Sequence, residues 1–166
     1  MNKEITINTE DLRDKYNSMD NNGRALLEHI FGADIFAPKD ITERVRTFED
    51  AIAVLGTENR AVTDYYALLG KHCSGSVLAM LRLRIIAEAL NEGWTPVFDG
   101  SQKRYIPDFY IFSDDEQNTQ VRYVRSLEWS HADSLSPSAI LFKTAELARY
   151  AGQQFTELWK DFLTGR

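Results

Sequence analysis

Apolar residues recur at three- and four-residue spacing through the first ninety positions, and after Trp94 the texture changes to alternating aromatic and β-branched residues. Ile5 and Ile7 alternate with Glu4 and Thr6 and predict a short edge strand or extended arm, after which Asn8 or Thr9 can cap a helix running to Met19. Asp20-Asn21-Asn22-Gly23 reads as a turn. Leu26, Leu27, Ile30 and Phe31 predict a second helix, ended by Gly32. After Pro38, Asp40 as N-cap with Glu43 three residues on opens a third, with Ile41, Val45, Phe48, Ile52 and Leu55 on one face and Gly56 as terminator. Val62 to Leu69 is a shorter helix. Ser74-Gly75-Ser76 then opens a long one, Val77 to Asn91, whose apolar residues fall on nearly every side, as expected of a helix at the centre of a domain.

Beyond Gly93 the pattern predicts three antiparallel strands, Arg104–Phe112, Gln120–Trp129 and Ala139–Phe142, with Pro107 placing the first on an edge. Ala148, Ala151, Gly152, Phe155, Leu158, Trp159 and Phe162 then recur at helical spacing and make a broad apolar stripe that must be covered. The fold class that follows is α+β. Residues 1–93 are mainly helical and contain the long central helix, residues 94–143 form a three-stranded antiparallel sheet, and a C-terminal helix over 144–164 packs on it. Loops are expected at Ser113–Asn118 and Ala132–Pro137.

Length and composition change this picture little. A chain of 166 residues suits a single domain able to bury about 70% of its unfolded surface, so it needs no disulfide or metal staple. The lone cysteine, Cys73, has no internal partner, and the Met-Asn-Lys-Glu start lacks a signal peptide's apolar core, so a cytoplasmic protein is expected. The longest apolar run, Val77 to Leu90, is broken by Arg82, Arg84 and Glu88 and is too short to span a bilayer. Net charge is −6, with thirteen acidic against eight basic residues in positions 1–70, and that balance argues against nucleic acid as the partner.

Candidate chemistry is sparse. Lys71-His72-Cys73-Ser74 sets a histidine beside a cysteine at a helix N-terminus, where the macrodipole favours a thiolate, so His72 and Cys73 are the candidate catalytic pair of a small enzyme. No third, orienting group is identifiable, and a half-buried thiol beside a serine N-cap explains the same residues. Gly70-Lys71 is no phosphate loop, because Tyr65 and His72 occupy the positions that need glycine and serine or threonine. His29, His72 and His131 lie far apart without an i, i+4 partner, and Asp114-Asp115-Glu116 lacks the glycine and the bidentate glutamate of a calcium loop, so neither a metal nor a cofactor is expected.

The strands offer more. By alternation Tyr105, Pro107, Phe109 and Ile111 share a face, matched by Val121, Tyr123, Leu127 and Trp129, and this face is expected to meet the terminal helix. The other face then carries Asp108, Tyr110, Phe112, Arg122, Val124 and Ser126, with Leu141 or Lys143 beside them. Tyr110, Arg122 and Lys143 would be the anchors of an aromatic and cationic platform for an unknown protein or other ligand; the plainer reading is that N-terminal helices cover this face. Gly152, four residues after Ala148, makes a small-residue notch that accepts either the chain's own sheet or the seam of a homo-oligomer.

Ala89-Leu90-Asn91-Glu92-Gly93-Trp94-Thr95-Pro96, the strand Tyr105-Ile106-Pro107-Asp108-Phe109, and the run from Leu141 to Phe155 together resemble a family of uncharacterised bacterial proteins met in prophage and mobile-element settings. The likeness spans roughly residues 40–163. It implies an intracellular accessory protein and carries over no activity and no site residues. The function expected is therefore binding rather than catalysis, with the His72/Cys73 enzyme and a structural oligomer subunit as alternatives.

Overall fold

The computed structural model describes residues 8–36, 40–113, 119–130 and 140–165. The arm at Ile5 and Ile7, Pro38, His131, the acidic run 114–116 and the loop 132–137 lie outside them. The chain divides into two compact units, Met1–Lys39 and Asp40–Arg166.

The first unit is a helical hairpin of α1 (Thr9–Ser18) and α2 (Asn21–Phe31), followed by a single 3-10 turn, Ala33–Ile35. Asp20 belongs to no free turn. Its carboxylate accepts from Gly23 N at 2.9 Å, so it is the N-cap of α2, and Asn21 to Gly23 form that helix's first turn. Tyr16 stacks on Phe36 at 4.4 Å and donates its hydroxyl to Glu28, a hydrogen bond that raises the tyrosine's pKa.

The second unit is built round α6 (Gly75–Leu90). Leu83, Ile85, Ile86 and Leu90 are fully buried, and α4 (Phe48–Leu55), α5 (Arg60–Leu68) and α8 (Thr156–Thr164) pack about the helix, which is why its sequence is apolar on nearly every side.

Two helices expected to be continuous are broken. The helix opened by Asp40 ends after one turn as α3 (Ile41–Arg44), because Thr47 and Asp50 form a reciprocal capping box and start α4 afresh. Carbonyls freed by the break are taken up by the C-terminal segment: the Tyr150 hydroxyl is shared by Thr42 O (2.7 Å) and Val45 O (2.8 Å), and Gln154 Nε2 donates to Arg46 O at 2.8 Å. That segment is itself two helices, α7 (Ala145–Gln154) and α8, separated at Phe155. Thr156 supplies the cause: its hydroxyl donates to Gly152 O (2.8 Å) and Gln153 O (3.0 Å), the back-bonding that bends helices.

The sheet is likewise smaller than expected. Among the described residues it has two antiparallel strands, β1 (Arg104–Ser113) and β2 (Thr119–Trp129); the third contributes one bridge, in which Tyr105 and Phe142 exchange backbone hydrogen bonds of 3.0 and 2.9 Å. Both continuations are blocked. The next hydrogen-bonded pair on one side would set Ile140 against Pro107, which has no N–H, and on the other side Thr144 has turned away to cap α7. On the far edge of this segment, the buried Asn91 side chain replaces a strand neighbour, donating to Leu141 O at 2.7 Å and accepting from Lys143 N at 3.0 Å.

Candidate functional site

The register of the hairpin decides which side chains share a face. Phe109 pairs with Tyr123 but Asp108 pairs with Arg125, so Val124 is a bulge residue and every β2 position beyond it changes sides relative to simple alternation. One face therefore carries the pairs Pro107–Ser126, Phe109–Tyr123 and Ile111–Val121. It packs on α7 and α8: Phe109 lies 5.2 Å from the Trp159 ring, and Ser126 Oγ donates to Ala145 O at 2.8 Å. Leu127 and Trp129, expected on this inner face, are turned to the outer one, and Ser126, expected outside, is turned in.

The notch at Gly152 is filled by the same contact. A Cβ there would meet Tyr123 Cδ2 at 2.6 Å and Pro107 Cβ at 2.8 Å. The chain's own sheet occupies it, which removes it as an oligomer seam.

The outer face places Tyr110 directly opposite Arg122, both exposed, Tyr110 at 57%. Phe112 stacks on Tyr110 with ring centroids 5.8 Å apart, and two residues back along β1 Asp108 pairs with Arg125 at 3.2 Å. Exposure is not confined to this face. Ile111, on the inner face, is about half exposed, as is the bulged Val124, which follows Tyr123 and adds to the outer face. The distal half of the hairpin thus shows apolar side chains on both sides, with Arg122 among them.

Lys143 does not join this group. It follows the bridge at Tyr105, five residues or about 17 Å along β1 from Tyr110, and its ammonium pairs with Glu92 at 3.1 Å. Leu141, the other expected neighbour, is buried. The platform is Tyr110, Phe112 and Arg122 without the lysine.

His72 and Cys73 stand just before α6, the first exposed and the second half-buried. Cys73 N donates to Lys71 O at 2.7 Å, but no hydrogen bond joins either side chain to the other or to a third group among the described residues. Ser74 is the N-cap by position, yet its hydroxyl pairs with Ser76 Oγ at 3.0 Å instead of a helix amide. No group of three histidine, cysteine or acidic side chains among the described residues is arranged to hold a metal, and no described helix is long and apolar enough to cross a membrane.

Comparison with known proteins finds no family model, no curated protein and no solved structure that matches the chain.

Proposed function

We propose that this chain is a non-catalytic binding protein whose partner is another protein, gripped by the distal half of the β1–β2 hairpin. The observation that carries this reading is the exposed Tyr110–Arg122 pair, backed by Phe112. Tyrosine and arginine are the residues in which interface energy concentrates, and contiguous exposed apolar surface is what soluble chains otherwise avoid. A single nucleic-acid strand stacks on one face of a sheet; here Ile111 adds exposed apolar surface on the face opposite Tyr110, which suits a protein groove closing round the hairpin. The net charge of −6 favours the same choice. The resemblance to mobile-element proteins supplies the setting, that of an intracellular accessory protein.

Affinity capture from a host lysate tests this, with the intact chain and a Tyr110→Ala/Arg122→Ala variant run side by side and bound proteins identified by mass spectrometry. A protein held by the first and lost by the second is the expected result. Equal capture by both removes the hairpin from the account.

A further inference from the structure

The two helix breaks that the sequence pattern does not foresee, at Arg46–Thr47 and at Phe155, face each other across one cleft. Gln154 ties the two sides together through Arg46 O. The cleft holds about 470 Å³, within the range of small-ligand sites.

Its lining includes Arg82, presented by α6 with its guanidinium lying over the Phe48 ring at 4.7 Å. No hydrogen bond or ion pair joins Arg82 to any other described residue, and its Nε is buried without an acceptor. The Phe48 ring supplies a π face to the guanidinium but no acceptor for its N–H groups. A buried donor without an acceptor is costly, and a guanidinium fork matches the planar oxygen pair of a carboxylate. The same cleft carries Glu157 and Asp161, exposed and one turn apart on α8, with Glu49 also in its lining. These carboxylates do not reach Arg82 and would repel a bare anion, so the surface is bipolar: a cation that needs an acceptor, and anions that favour a positive group.

We propose that this cleft binds a carboxylate joined to a basic tail, as in a free basic amino acid or the C-terminal basic residue of a peptide, with Arg82 taking the carboxylate and Glu157 and Asp161 the tail. The site is separate from the hairpin and does not depend on it.

Titration calorimetry of the intact chain with L-lysine, the tripeptide Gly-Gly-Lys, L-norleucine and acetate tests the assignment. Saturable binding of L-lysine or Gly-Gly-Lys at millimolar concentration is expected, and which of the two binds tighter separates the free amino acid from the peptide terminus. Norleucine, without the basic tail, should bind roughly tenfold more weakly, and acetate should not saturate. Arg82→Met keeps a side chain over Phe48 and should weaken lysine binding by about tenfold or more. Should that variant fail to fold, Glu157→Gln/Asp161→Asn changes only exposed groups and must abolish the preference for lysine over norleucine. Absence of saturation by both lysine probes overturns the proposal, as does undiminished binding by folded Arg82→Met or an unchanged preference in the double variant.

Discussion

Gly152 on α7 and Tyr123 on β2 touch so closely that a methyl group on the glycine would sit 2.6 Å from the tyrosine ring, and 2.8 Å from Pro107 Cβ. Neither a proline ring nor a packed tyrosine yields easily. Gly152→Ala gains about 1 kcal/mol in helix propensity, but the overpacking costs about 1–3 kcal/mol and involves two residues at once. A net loss of stability is expected in urea denaturation. An alanine variant as stable as the parent, or more so, would show that the sheet does not seat on α7 through this notch.

Tyr150 makes stability depend on alkaline pH. Burial is the main cause that raises its pKa above 10.0, and its neutral hydroxyl serves the carbonyls of Thr42 and Val45. A group whose pKa is higher in the folded than in the unfolded chain stabilises fully below the unfolded value and loses that contribution as pH rises through the folded one. Unfolding free energy should therefore fall above pH 10. Tyr150→Phe should cost about 1–2 kcal/mol at neutral pH and show a shallower alkaline decline, measured by denaturant titration across pH. An unchanged decline would mean that the hydroxyl does not close the α3–α4 break.

Much of the architecture was legible before the structure. The spacing of Leu83, Ile86 and Leu90 marks the central helix, the β-branched and aromatic runs mark β1 and β2, and the Leu158–Trp159 stripe marks the terminal packing helix. The two helix breaks share a cause, which is that short polar side chains take backbone groups that hydrophobic periodicity assigns to one continuous helix. Periodicity from Ile41 to Leu55 cannot show that Thr47 and Asp50 will cap a new helix, nor that Thr156 will take the carbonyl of Gly152. Alternation along β2 cannot show the bulge at Val124, which turned Leu127 and Trp129 outward. Within the candidate site, facing of Tyr110 and Arg122 followed from alternation because both precede the bulge; the position of Lys143 did not, because it is set by the register of the third segment, in which Phe142 meets Tyr105. Arg82 gave no sign in sequence, being one arginine in a helix.

The His72/Cys73 alternative makes a separate prediction. Without a hydrogen-bonded orienting group, Cys73 should react with iodoacetamide no faster than an unstructured cysteine peptide at pH 7, and Cys73→Ser should leave partner capture intact. Alkylation many times faster than the peptide, abolished in His72→Ala, would restore the enzyme reading.

The most direct measurement of the central claim is a paired one on Tyr110→Ala/Arg122→Ala: a thermal melt and a binding titration against the captured partner. Both side chains are exposed, so stability should stay within about 0.5 kcal/mol of the parent, while affinity should fall by about 1–3 kcal/mol or more. A large loss of stability would show that this face is covered by the chain itself. A folded variant that binds the partner at full strength would contradict the assignment of the hairpin as the binding surface.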